Sequence, residues 1–140
     1  SIDISEEAIK TARENARNLG ADIHFRTVDF LNEEVWSQFH QYDIIVSNPP
    51  YIPFSEKETL NRNVVDFEPE KALFVPQNDP FIFYRKIGQF SRTHLKPEGK
   101  GYLEVHEKYA QKVLHIFKQN GYHGRIVKDI YGKDRMVVFE

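Results

Sequence analysis

Apolar residues recur at helical spacing through Ala8, Ile9, Ala12, Ala16 and Leu19, which predicts a helix over residues 6–19. Ser5 stands where an N-cap hydroxyl can accept from amides two or three positions on. Glu6 and Glu7 suit the positive end of the helix dipole, and Gly20 suits the stop. Upstream, Ile2 to Ile4 reads as the tail of a strand. Alternation of Ile23, Phe25 and Thr27 with His24 and Arg26 predicts a strand over 23–28, and residues 33–39 a short helix. The compact run Tyr42-Asp43-Ile44-Ile45-Val46-Ser47 reads as a strand buried on both faces of a parallel sheet. Asn48-Pro49-Pro50-Tyr51-Ile52-Pro53 ends it, since proline cannot continue a central strand. Residues 54–80 are polar and irregular, a length that in a compact domain is usually functional.

Beyond Pro80, a helix is expected over 81–95, a turn at Lys96-Pro97-Glu98-Gly99, a strand over 101–105 and a helix over 108–119 that stops at Asn120-Gly121. Strands over 124–128 and 135–139 close through Tyr131-Gly132-Lys133-Asp134 as an antiparallel pair. Helix–strand alternation with an antiparallel finish is the pattern of an open α/β sheet.

The chain of 140 residues has the length of one domain, and no repeat, linker or low-complexity tract divides it. Its net charge of −2 speaks against a basic nucleic-acid binder, and Arg125, Lys128, Lys133 and Arg135 near the end read as a solvated surface. The absence of cysteine excludes disulfides, thiolate metal sites and thiol nucleophiles. No apolar run approaches the ~18 residues of a membrane span, and no signal peptide opens the chain. A cytoplasmic protein is expected.

Ligands of open α/β sheets bind outside the carboxyl ends of the strands. Three candidates follow predicted strands: Asp3; Asp29 with Phe30; and Asn48-Pro49-Pro50-Tyr51. An acidic residue in the place of Asp3 can accept both hydroxyls of a ribose, though Asp3 also suits the N-cap region beside Ser5. Asp29 can accept from an adenine amino group and Phe30 can stack on the ring; turn chemistry and core packing account for the same residues. Asn-Pro-Pro-Tyr is the sharper signal. An amide or aryl amine nitrogen is a poor nucleophile because its lone pair is delocalised. A site helps by accepting both N–H hydrogens and aiming the lone pair at an electrophilic methyl group. The Asn48 side-chain carbonyl is one acceptor and a nearby backbone carbonyl can be the second. The two prolines restrict the backbone and hold those carbonyls in place, and fixed geometry of this kind is worth ~7–11 kcal/mol to a bimolecular reaction. Tyr51 offers a flat face for a planar substrate group. A proline-rich turn leaving a strand is the plainer account of the same four residues.

Neither G-x-G-x-x-G nor a P-loop occurs, and Gly99 and Gly101 read as turn glycines. The six histidines form no metal spacing, so no metal site is expected. No serine stands in a G-x-S-x-G elbow.

At these residues the chain resembles the HemK/PrmC family, the release factor glutamine methyltransferases. The resemblance is carried by Asp3-Ile4-Ser5, Ala12-Arg13-Glu14-Asn15-Ala16, Ser47-Asn48-Pro49-Pro50-Tyr51-Ile52-Pro53, Asp66-Phe67-Glu68-Pro69, Phe83-Tyr84-Arg85, Leu103-Glu104, and Lys128-Asp129 through Gly132-Lys133-Asp134-Arg135. Asn-Pro-Pro-Tyr alone is shared with DNA and RNA amino-methyltransferases, whereas the longer form with Phe-Glu-Pro is narrower. The resemblance implies a class I, Rossmann-like methyltransferase sheet, mostly parallel with an antiparallel C-terminal strand, over residues 1–140. It implies S-adenosylmethionine (SAM) as cofactor, bound by Asp3, Asp29, Phe30 and Asn48. It implies that Asn48, Pro49, Pro50 and Tyr51 hold the substrate amide, with Asn48, Pro49 and Tyr51 as the catalytic set. The partner would be a peptide-chain release factor, methylated at the glutamine of its Gly-Gly-Gln loop.

Two segments depart from the family pattern: Phe74-Val75-Pro76-Gln77-Asn78-Asp79-Pro80 where a Gly-rich stretch is common, and Glu104-Val105-His106 where Glu-Ile-Gly is expected. The family's first strand, its Gly-rich SAM turn and its helical N-terminal domain would precede Ser1. The 140 residues alone are therefore expected to bind SAM poorly and to be inactive, and unpaired sheet edges would favour a strand-swapped dimer. A nucleic-acid adenine or guanine amino-methyltransferase, a ribosomal-protein glutamine methyltransferase and a non-catalytic binding module are the competing readings.

Overall fold

In the computed structural model, which describes residues 1–59 and 69–140, the chain divides into two units, 1–39 and 40–140. In the first, β1 (Ile2–Asp3) and β2 (Arg26–Thr27) pair in parallel, Ile2 with Arg26 and Asp3 with Thr27. The strand expected over 23–28 is reduced to these two positions, which pair with Ile2 and Asp3. Hydrogen bonds from Arg26 N to Ser1 O (3.0 Å) and Val28 N to Asp3 O (2.9 Å) complete the ladder. Between them runs α1 (Glu6–Asn18), capped as expected: the Ser5 side chain accepts from Ala8 N at 3.2 Å. Gly20 follows with φ of 64°, the left-handed conformation in which glycine is favoured. Ile9 and Ala16, on one helix face, are buried. The short helix expected over 33–39 is a 3-10 helix, Glu33–Gln38, capped by the Asn32 side chain.

The second unit carries a four-stranded sheet in the spatial order 42–47, 95–104, 134–139, 124–128. β3 (Tyr42–Ser47) is parallel to β6 (Leu95–Glu104), while β8 (Asp134–Phe139) is antiparallel to both β6 and β7 (Gly124–Lys128). The antiparallel C-terminal finish is as the sequence predicts. Helices α3 (Ile82–His94) and α4 (Ala110–Gln119) pack on each other and on this sheet. They cover Leu103, Val137 and Phe139, each fully buried, with Tyr84, Val113 and Phe117. β3 departs from the expectation of burial on both faces: Ile44 and Val46 are 59% and 73% exposed, whereas Ile45 and Ser47 are half-buried.

The predicted turn at residues 96–99 lies inside β6. Tyr42 pairs with Leu95 but Ile44 with Lys100, so the extra residues of β6 form a bulged excursion in one strand. Turn-forming residues serve the bulge, and Lys96 reaches across to Asp43 at 2.8 Å. Gly101 is likewise a strand residue, not a turn glycine: it pairs with Ile45 and with Phe139. A Cβ there would lie 2.0 Å from the Phe139 ring, so the aromatic side chain fills the place that glycine leaves open.

Residues 54–80, expected to be irregular, contain a 3-10 helix (Phe54–Thr59), a short helix α2 (Glu70–Leu73) and β5 (Phe74–Val75). β5 pairs in parallel with β4 (Ile52–Pro53), directly after the Pro-Pro corner. The Asp66-Phe67-Glu68 motif lies outside the described residues.

Candidate active site

The Asn-Pro-Pro-Tyr corner begins where β3 stops. Ser47 still pairs with Leu103; Pro49 and Pro50 then supply no N–H, and the chain leaves the ladder. Asn48 is exposed at the carboxyl end of the strand and Pro49 beneath it is buried. Among the described residues no hydrogen bond of the Asn48 side chain is recorded, which leaves its carbonyl available to accept. Tyr51, half-buried, turns back to the sheet, and its hydroxyl donates to Glu104 Oε1 at 3.2 Å. Its ring stands edge-on to His106, with centroids 6.1 Å apart. Burial, and after it the Glu104 carboxylate, push the Tyr51 phenol above its ordinary pKa, so it remains a donor at neutral pH. Beside it, the buried Tyr84 hydroxyl donates to the Glu104 backbone carbonyl at 3.0 Å.

Asp3, Asp29 and Phe30 belong to the first unit. Because β1 and β2 are parallel, Asp3 and Asp29 stand at the same end of that ladder. Asp3 Oδ1 accepts from Ser5 N at 2.7 Å, so the capping account of this residue holds. Asp3 is exposed, and among the described residues no partner is recorded for its second oxygen, which suits a ribose diol. Asp29 Oδ1 accepts from Leu31 N at 2.9 Å in a turn closed by Asn32 N to Asp29 O. Phe30 stacks on Trp36 at 5.5 Å, and the indole N–H donates to Phe30 O at 2.9 Å. Turn chemistry and packing are thus present at both positions, with one carboxylate oxygen of Asp29 outside the turn.

Glu104 and His106 contact Tyr51 in the second unit, with Tyr84 bonded to the Glu104 carbonyl, and Trp36 contacts Phe30 in the first; the sequence assigned none of the four a role in the site. The alternation of β6, which buries Gly99, Gly101 and Leu103, was the available signal for Glu104: it places that side chain on the opposite face.

Three of the four basic residues named near the C-terminus have carboxylate partners. Lys128 reaches Asp134 at 2.8 Å, Lys133 reaches Glu107 at 3.3 Å, and Arg135 lies 3.7 Å from Asp129. Asp129 also accepts from the amides of Lys133 and Tyr131. These bonds, the Lys133 one foremost, hold its carboxyl below the usual carboxylate range. Among the described residues no group of three or more His, Asp or Glu could hold a metal ion, and no helix is long and apolar enough to cross a membrane.

Residues 1–123 match the family described as "Methyltransferase domain". The chain is 46% identical over 136 residues to a release factor glutamine methyltransferase of Bacteroides thetaiotaomicron, covering 96% of this chain and 49% of that protein. The chain thus spans about half the length of the curated relatives it matches. Among solved structures, it resembles the release factor-specific protein-(glutamine-N5) methyltransferase from Alicyclobacillus acidocaldarius, with a TM-score of 0.54 and 23% identity over 91% of this chain and 71% of that one. It also resembles Aeropyrum pernix fibrillarin, solved with natively bound S-adenosyl-L-methionine, with a TM-score of 0.61 and 10% identity over 99% of this chain and 54% of that one. At these identities the two structures speak for the fold alone.

Proposed function

Because the chain belongs to the methyltransferase domain family, we propose that it forms most of the catalytic domain of a SAM-dependent enzyme that methylates the side-chain amide nitrogen of a glutamine. The substrate of this reading is the Gly-Gly-Gln loop of a peptide-chain release factor, in keeping with relatives named for that reaction. The observation that carries it is the corner after β3: an exposed asparagine on a rigid Pro-Pro turn, with the following tyrosine tied to Glu104.

The chemistry follows from what such a corner can do. The Asn48 side-chain carbonyl and the Pro49 backbone carbonyl accept the two N–H hydrogens of a primary amide. That orients the amide plane and directs the nitrogen lone pair to one side. The Tyr51 ring packs against the planar group. SAM, when bound, supplies a methyl group on a sulfonium sulfur. In the first unit Asp3 fits the ribose hydroxyls through its exposed carboxylate, Asp29 an exocyclic amine, and Phe30 the adenine. No strong base is needed, since the nitrogen sheds a proton to solvent once it carries the extra carbon.

The test uses the intact natural protein and SAM labelled in its methyl group. Label is expected in release factor at glutamine, and not in ribosomal RNA, DNA or ribosomal protein offered in parallel. Asn48→Ala is expected to lower kcat by about 10²–10³-fold, the scale of removing one fixed hydrogen-bonding group from a reacting centre. Label in nucleic acid but not in protein would overturn the substrate; an Asn48→Ala variant with undiminished kcat would overturn the site.

A further inference from the structure

The Asn48 corner is held at both of its ends by consecutive residues of one strand. Before it, Ser47 pairs with Leu103 of β6. After it, the Tyr51 hydroxyl is bound by the side chain of Glu104, the next residue of β6. The three residues between, Asn48, Pro49 and Pro50, contain two fixed φ angles, so fixing Tyr51 restricts where the Pro49 carbonyl and the Asn48 side chain can point. Glu104 is itself anchored, because its backbone carbonyl accepts from the buried Tyr84 hydroxyl at 3.0 Å. His106, two residues on, flanks the Tyr51 ring edge-on. Its Nδ1 accepts from Lys108 N at 3.2 Å, and its own ring packs on Tyr109 at 5.4 Å.

We infer that Glu104 is a positioning residue for methyl transfer: its carboxylate clasps the Tyr51 hydroxyl and so sets the Asn-Pro-Pro corner against the β6 strand end. This rests on the reading of that corner as the amide-holding site. Glu104 touches no reacting atom and acts through Tyr51. The direction of the Tyr51 shift agrees with the clasp, since burial and the neighbouring carboxylate both keep the phenol protonated and donating. The need is for an acceptor at this position rather than for a charge, and glutamine in place of Glu104 supplies one of the same reach.

The experiment compares Glu104→Ala, Glu104→Gln, Tyr51→Phe and the Tyr51→Phe/Glu104→Ala double variant in the intact natural protein. Glu104→Ala is expected to lower kcat about tenfold or more, as misplacement of a supporting group does, with the KM for SAM within about twofold of the parent. Glu104→Gln is expected to stay within about threefold. The double variant should lose no more than the worse single one, because both remove the same contact. A second readout does not depend on the methyl acceptor: with ring-labelled tyrosine, the Tyr51 phenol should titrate at lower pH in Glu104→Ala, and a merely structural role for Glu104 would not single out that resonance. Parent-like kcat in Glu104→Ala, multiplying losses in the double variant, or an unmoved Tyr51 titration would each overturn the inference. If the parent transfers no methyl group to glutamine while Tyr51 still responds to Glu104→Ala, the substrate reading fails and the clasp survives. Should Glu104→Ala fail to fold, a Glu104→Gln variant losing tenfold would overturn the inference on its own.

Discussion

Tyr84 is 1% exposed, and its hydroxyl has a partner in the Glu104 carbonyl, which satisfies a group that would be costly to bury alone. Burial, with Tyr51 and Glu104 adding to it, holds the phenol far above its ordinary pKa. An unfolded tyrosine ionises near pH 10. A raised folded-state value therefore adds stability that is fully present below about pH 10 and is lost as pH rises from there through the folded-state pKa. In an ultraviolet titration, one tyrosine should ionise only as the fold is lost, well above the pH at which an unfolded tyrosine ionises. Tyr84→Phe should remove that late phase and cost about 1 kcal/mol at neutral pH, the typical worth of such a hydrogen bond. Ionisation of Tyr84 near pH 10 with the fold intact would contradict the assignment. At this scale the sequence was informative where chemistry is local. Asn48-Pro49-Pro50-Tyr51 declares a rigid corner by composition alone, and Ser5 declares a cap. Glu104 stayed hidden because its partner Tyr51 lies 53 positions away, and nothing in either neighbourhood announces the other.

Helices and strands differ in how far local pattern reaches. The span of α1 was legible to within a residue because its cap, first-turn acids and terminal glycine all lie within the segment. Strand length was not, because it depends on the partner: β2 ends where β1 does, and β6 runs through Lys96-Pro97-Glu98-Gly99 because β3 pairs on both sides of the bulge. Exposure of Ile44 and Val46 was illegible for the same reason, since an apolar run does not state which faces are covered. Gly101 shows the most specific of these dependences. Its missing side chain is the place taken by the Phe139 ring from β8, a neighbour 38 positions on by subtraction of the two residue numbers. Gly101→Ala should cost about 1–3 kcal/mol by overpacking, read from the denaturant midpoint at unchanged slope. Phe139→Leu, alone destabilising because Phe139 is fully buried against Phe117 at 4.1 Å, should cost less in the Gly101→Ala background than in the parent. Strictly additive losses would show that the two residues do not compete for that space.

Charge acts over the whole molecule, and it bears on the choice between the proposed protein substrate and the nucleic-acid alternative. The net charge of −2 is the smaller part of the argument. The rest is that, among the described residues, four lysines already have carboxylate partners. Lys96 is paired with Asp43, Lys100 with Glu140, Lys128 with Asp134 and Lys133 with Glu107. The Lys96 contact also lowers the Asp43 pKa, and the Lys100 contact that of Glu140. These pairs are exposed and each contributes little to stability, but a phosphate would have to displace a carboxylate to use any of these lysines. Affinity for a nucleic-acid backbone grows with the number of phosphates neutralised, and log K falls with log salt with a slope of about −0.9 per phosphate contact on duplex DNA. The net negative charge leads to the expectation of weak binding with a shallow slope. Fluorescence anisotropy with a labelled duplex or hairpin RNA, in the intact natural protein from low salt to about 0.15 M, is expected to show a slope no steeper than about −2 and no saturable binding at the physiological end. A steep slope with retained binding would mean that a basic surface forms in the intact protein, and the corner after β3 would then be better read as a cradle for a flipped base.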